Sequence, residues 1–162
     1  MNKILKYLYA KKKRIEKILG QAKTGKPFRA IAFRGVSEKT PIDEGMYGKG
    51  TYYTLDIDYA KQYAEAGKNG MLIICEVYLK NPFVGMVWEV EALGYSAYRN
   101  AIEKGKKIKE AREAFSIAIT ETLKSKGYDG IIIKDDMEVI VFDNRNTRVI
   151  KVLEIKNLRK ES

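Results

Sequence analysis

Between Phe33 and Phe83 the chain gathers residue types that can build a small-molecule site. Met46-Tyr47-Gly48-Lys49-Gly50-Thr51-Tyr52-Tyr53-Thr54 sets two glycines just ahead of two tyrosines, and Tyr63 follows on the next expected helix. The glycines let the backbone turn tightly into a short strand where a ligand approaches without meeting a Cβ. The tyrosines offer a floor and a wall for a flat aromatic ligand. Upstream, Ala32-Phe33-Arg34-Gly35 ends an apolar run with an arginine and a glycine; downstream, Gly70 to Val77 reads as a further strand. Taken together these pieces describe a pocket. Histidine is absent, so proton work falls to carboxylates, tyrosines, lysines or arginines. The same absence disfavours metal chemistry, and no metal ligand is assigned.

The elements that must hold these residues can be read from pattern. From Asn2 to about Ala22, Ile4, Leu8, Ile15, Ile18, Leu19 and Ala22 share one side of a helix, with Lys6, Lys13, Arg14 and Lys17 opposite, so the apolar stripe is expected to dock on the core. Lys23-Thr24-Gly25-Lys26-Pro27 is a loop, and residues 28–34 a strand. Val36 to Tyr47, with Pro41 and Gly45, is expected to connect along one side of the pocket. After the strand Gly50–Thr54, Asp56 caps a helix reaching about Ala66, on which Tyr59 and Tyr63 share a face. A strand over 71–79 is ended by Asn81-Pro82. Residues 84–104 are hard to assign; Trp88, Tyr95 and Tyr98 suggest a partly packed excursion leading into a helix. Ile108, Ala111, Phe115, Ala118, Ile119 and Leu123 predict a helix over 107–125 stopped at Lys126-Gly127. Strands over 130–134, 138–142 and 148–155 follow, with turns at Asp135-Asp136 and Asn144-Arg145-Asn146. The sum is α+β with mainly antiparallel pairing.

Composition bounds the rest. At 162 residues one domain is expected, large enough to bury a core without staples. The lone Cys75 lies in an apolar run and reads as a small buried hydrophobe in a reducing compartment. No apolar run is long enough for a membrane span, and a cytoplasmic monomer is expected, in the cell of origin or an infected host. Residues 1–29 hold ten lysines and arginines against the single Glu16, so nine of the ten net positive charges sit there. Such segregation indicates an acidic partner, nucleic acid among the candidates, met by Lys11, Lys12, Lys13 and Arg14; a solvated helix face is the plain alternative.

The order Phe33-Arg34-Gly35, then Met46 to Thr54, then a tyrosine-bearing helix, then Gly70 to Pro82 resembles the catalytic domain of the poly(ADP-ribose) polymerase-like ADP-ribosyltransferases. Gly127-Tyr128-Asp129-Gly130 with Glu138-Val139-Ile140-Val141-Phe142-Asp143 resembles the C-terminal half of small phage and bacterial members. The likeness covers roughly residues 30–152. It implies an ADP-ribosyltransferase-like fold of split antiparallel β-sheets with flanking helices, residues 30–155 forming the catalytic core behind a basic N-terminal helix and loop over 1–29.

By the same resemblance, NAD is the substrate and Glu138 the catalytic carboxylate, holding the ribose 2′-hydroxyl and favouring positive charge on the sugar. Tyr52 and Tyr63, eleven residues apart, enclose the nicotinamide, with Tyr53 and Tyr59 as competitors; strand alternation points Tyr53 away from Tyr52. Gly35 would meet the carboxamide with its backbone, and Asp136 would orient an acceptor, unless it merely forms the turn. Arg34 stands where polymerase-like members have histidine, as in the toxin-like branch; its guanidinium suits a ribose hydroxyl or a pyrophosphate oxygen. Ala60 stands where a serine commonly helps hold the carboxamide. The implied function is mono-ADP-ribosyl transfer to a macromolecule, protein rather than nucleic acid. From another class, the alternative is a non-catalytic nucleic-acid-binding or interaction protein on a degenerate transferase fold.

Overall fold

The computed structural model describes residues 2–40 and 47–156. In chain order the elements are α1 (Lys3–Gln21), β1 (Phe28–Val36), β2 (Thr51–Thr54), α2 (Ile57–Glu65), β3 (Met71–Leu79), β4 (Pro82–Gly85), α3 (Val87–Ala92), α4 (Tyr95–Glu103), α5 (Ile108–Ser125), β5 (Gly130–Ile133), β6 (Glu138–Val141) and β7 (Thr147–Glu154). The strands form a sheet in the order β4-β5-β6-β2-β1-β3-β7. Neighbours pair antiparallel except β4 with β5. The fold is α+β, as expected. β3 ends ahead of Asn81-Pro82, as expected, and Pro82 then opens β4 as a strand's first residue, where a missing N–H is tolerated. The excursion over 84–104 resolves into the end of β4 and the short helices α3 and α4. Pro41 to Met46, most of the expected connector, lie outside the described residues.

One face of the sheet is covered by α1: its Ile15, and Ala22 just past its end, pack with Ala32, Tyr53, Leu55, Cys75 and Val139. The other face carries two separate cores. Phe33 and Leu72 pack against Ala60 of α2, whereas Ile131, Ile133 and Ile140 pack against Val90 of α3 and Ile119 and Leu123 of α5. Between those cores a single registered pair, Phe33 with Thr54, joins β1 to β2. β1 otherwise pairs along its length with β3, and β2 with β6. The sheet is thus split at this junction, and the strands diverge on either side of it.

Two guanidinium groups fill the divergence. Arg34 Nη1 donates to the Tyr52 carbonyl at 3.1 Å on one side; on the other, Arg14 donates to the carbonyls of Ile31, at 3.0 Å, and Leu55, at 3.4 Å. Among the described residues no registered pair between β1 and β2 reaches these three carbonyls, so each gains a side-chain donor. Arg14 therefore faces inward, not opposite the docking stripe. Lys11 is also engaged, at 3.0 Å from Asp56 and 2.9 Å from Asp58 at the start of α2. Of the four cations assigned to an acidic partner, Lys12 and Lys13 remain exposed. The apolar stripe is corrected as well: its second half docks, while Ile4 and Leu8 are exposed, with Leu5, Tyr7 and Tyr9 beside them.

Arg14→Met is expected to cost about 1–3 kcal/mol, because two part-buried carbonyls lose their donors. Lys12→Gln and Lys13→Gln should stay within about 0.5 kcal/mol of wild type. Urea unfolding measures all three, and equal losses across the set would contradict the inward role of Arg14.

Candidate active site

Glu138 opens β6 after a four-residue turn whose last residue, Met137, adopts a left-handed φ of 53°, rare for a side chain of this size. Other elements fix that turn. The Leu55 N–H donates to the Met137 carbonyl, the Lys134 N–H to the Gly85 carbonyl, and the Val87 N–H to the Asp135 carboxylate. Asp135 thus serves the start of α3, which leaves exposed Asp136 to the space before Glu138.

Register sets Glu138 opposite Thr54 and Tyr52 opposite Ile140, so Glu138 and Tyr52 project from the same face. Glu138 Oε2 is buried with no hydrogen-bond partner among the described residues. Burial raises the carboxyl pKa to about 8, and the neighbouring Asp136 carboxyl adds to the rise. An orphaned buried acceptor is the mark of a group awaiting a ligand, and a cation or hydroxyl donor is what it lacks.

The sign of the resulting linkage is fixed. Between its ordinary value near 4.5 and about 8, the folded state keeps a proton on Glu138 that the unfolded chain releases. Stability from this group therefore falls as pH rises across that window. Glu138→Gln should melt close to wild type near pH 4 and above it at pH 9, with a gain that grows between. A pH-independent difference in melting temperature would show that the carboxyl is not strained by burial.

The tyrosines divide as alternation requires. Tyr53 is buried in the core under α1. Tyr52 is half-buried; its hydroxyl accepts from the Tyr47 N–H at 2.8 Å and donates to the Gly48 carbonyl at 2.7 Å, pinning the glycine turn. Burial, the largest cause, pushes its phenol pKa up, and Glu138 adds to this. Tyr63 is exposed on α2, and its ring meets Tyr59 edge-on at 5.2 Å, the hydroxyls 3.1 Å apart. The Tyr59 pKa is raised chiefly by that hydroxyl contact, then by burial, and further by Glu138 and Asp136. Tyr47, half-buried, is raised by burial and then by Asp136, Glu91, Glu138 and Asp135. Tyr47 and Tyr59 thus stand within the field of the carboxylates. Tyr59 is the competitor for the nicotinamide already expected from sequence, whereas Tyr47, inside the glycine motif, is new to the candidate set.

Arg34 and Gly35 take places that pairing dictates. Arg34 leaves β1 on the opposite face from Phe33 and crosses the split to Tyr52. Gly35 is buried beneath α2, where a Cβ would lie 1.8 Å from the Ala60 carbonyl oxygen. Its missing side chain is demanded by the helix, so any ligand contact from Gly35 must come from backbone atoms. Gly50, at φ 154°, likewise approaches the Val141 carbonyl, 2.6 Å from where a Cβ would stand.

Residues 32–153 match the family model described as ADP-ribosyltransferase in polyvalent proteins. No curated protein matches the chain. The matched span includes Arg34, Gly35, Tyr52, Tyr63, Asp136 and Glu138.

Proposed function

The chain belongs to this family of ADP-ribosyltransferases, and we propose that it is a catalytically competent, NAD-dependent mono-ADP-ribosyltransferase acting on a macromolecule, with Glu138 as the catalytic carboxylate. The observation that carries the reading is the buried, unpartnered Oε2 of Glu138 beside the split between β1 and β2. NAD offers what that oxygen lacks, a ribose hydroxyl to donate and a cationic glycosyl centre as the bond breaks. The bond from ribose C1′ to the nicotinamide nitrogen breaks, its electron pair leaving with nicotinamide. The acceptor's nucleophilic atom bonds to C1′ and gives up a proton. Positive charge builds on the sugar meanwhile, and a fixed carboxylate in a dry site stabilises it far better than water does.

Tyr52 and Tyr63 are assigned to the nicotinamide, with Tyr59 holding Tyr63 by its ring and hydroxyl. Arg34 is assigned to a ribose or pyrophosphate oxygen and Gly35 to the carboxamide through its backbone. Asp136 is assigned to acceptor orientation. Because the chemistry needs ionised Glu138, NAD cleavage by the free enzyme should rise with pH towards about 8. A flat kcat/KM from pH 6 to 9 would contradict this assignment.

The whole reading is tested by incubating the protein with NAD labelled on its adenylate and with cell lysate. Label on protein is the expected outcome. Label on nucleic acid would overturn the protein target, free ADP-ribose alone would overturn transfer, and intact NAD would favour a binding protein on a transferase fold.

A further inference from the structure

The face that carries Glu138 is bordered by an open cleft of about 700 Å³ between the Tyr47 loop, α3, α4 and α5. None of the residues assigned to NAD lines it. Its floor is Phe115 of α5, met edge-on by Tyr98 of α4 at 6.5 Å. Gly94, at the start of α4, seats that helix on α5, since a Cβ there would lie 2.7 Å from Phe115.

The two ends of the cleft differ in charge. At the end nearer the catalytic carboxylate, Tyr47 and Glu91 line it. Tyr47 lies in the combined field of Asp136, Glu91, Glu138 and Asp135. Along α5 the lining then passes Glu113, which is neutralised by Lys49 at 2.7 Å, and reaches Arg112 and Lys109. From Ser116 to Lys109 the helix axis covers roughly 10 Å, about the span of three extended residues. Among the described residues, neither Arg112 nor Lys109 has a carboxylate within ion-pair reach. The order is acidic, aromatic, basic.

We propose that this cleft binds the acceptor as an extended polypeptide segment. Its cationic side chain points to the Glu91 and Asp136 end, an apolar residue rests on Phe115 and Tyr98, and an acidic residue faces Arg112 and Lys109. The proposal rests on the transferase reading and names the acceptor class for that same site. A nucleic-acid strand carries uniform negative charge and would bring phosphates against Glu91 and Asp136 at the reacting end. A polypeptide can reverse its charge within three residues, and complementary order of this kind fixes direction as well as partner. A cation over the Tyr47 ring gains from the ring as well as from the carboxylates.

The test uses the full chain and three fluorescein-labelled probes: a peptide of order Arg-Ala-Phe-Ala-Glu, its reverse, and a mixed-sequence single-stranded oligonucleotide. Fluorescence anisotropy should show the forward peptide binding about tenfold tighter than either other probe. The double variant Lys109→Glu with Arg112→Glu should lose that preference and regain it for a peptide ending in lysine, a rescue that a misfolded variant cannot show. Tighter binding of the oligonucleotide, indifference to peptide direction, or displacement of the peptide by NAD would overturn the proposal. Labelled NAD added to the same mixtures separates the two claims. Nicotinamide release without label on the bound peptide overturns the acceptor assignment and spares the transferase reading. Peptide binding without nicotinamide release overturns the transferase reading and leaves the peptide cleft standing.

Discussion

Gly35→Ala is expected to destabilise the protein by about 3 kcal/mol or more. The added Cβ would lie 1.8 Å from the Ala60 carbonyl oxygen and 2.8 Å from the Ala64 nitrogen, both main-chain atoms of α2. No side-chain rotation relieves contacts of that kind, so α2 must shift away from β1 and loosen Phe33 and Leu72 against Ala60. The shift would also carry Tyr59 and Tyr63 away from the split in the sheet. Thermal melting and NAD titration of the variant should therefore fail together. A variant that melts like wild type but binds NAD poorly would give Gly35 the direct ligand contact that the family resemblance assigns and remove its packing role.

A second acidic feature sets the lower limit of stability. Asp58 lies below the ordinary carboxylate range because Lys11 donates to it, with Tyr7 adding a further hydrogen bond. Its contribution is present above the unfolded value and is lost as pH falls through the lowered folded one. Lowering the pH below about 4 should therefore release α1 from the start of α2. Exchange of the α1 amides with deuterium, compared at pH 3 and pH 6 after correction for intrinsic rates, reads this directly. Equal protection at both values would contradict it.

Much of the scaffold was legible because its physical signals are local. The strand over 71–79 agrees with β3 to the residue, and the helix expected over 107–125 is α5, stopped at Gly127 with its positive φ of 87°. Tyr53 turned away from Tyr52 as strand alternation demands. The stretch 84–104 was legible only as an excursion leading into a helix: α3 has six residues, too few to show a helical period, and α4, whose apolar residues do recur at helical spacing, buries none of them fully. The helical period of α1 showed which residues share a side, but not that the surface beneath it ends before Ile4 and Leu8. Arg14 was misplaced because its partners, the carbonyls of Ile31 and Leu55, are orphaned only by a strand divergence that no local pattern encodes. The importance of Glu138 came from resemblance to a family; without it, a glutamate at the start of a strand is unremarkable. What the structure adds is the burial, the orphaned oxygen and the company of Asp136, Tyr47 and Tyr59.

The largest effect of all is expected at that residue. Glu138→Gln preserves shape and hydrogen-bonding reach and removes the negative charge, which is needed chiefly as positive charge develops on the sugar. The fold should be retained, and above neutral pH strengthened. Turnover should fall by about 10²–10⁴-fold, or roughly 3–5 kcal/mol, the range one positioned charge contributes. Asp136→Asn should change acceptor choice more than NAD cleavage, since it is not assigned to the breaking bond. The decisive measurement is nicotinamide release from NAD at pH 8, with and without acceptor, by wild type and Glu138→Gln at matched concentrations of folded protein. Steady release by wild type and a loss of at least about a hundredfold in the variant is the predicted result; equal release from the two proteins would contradict the account, because another group would then carry the chemistry.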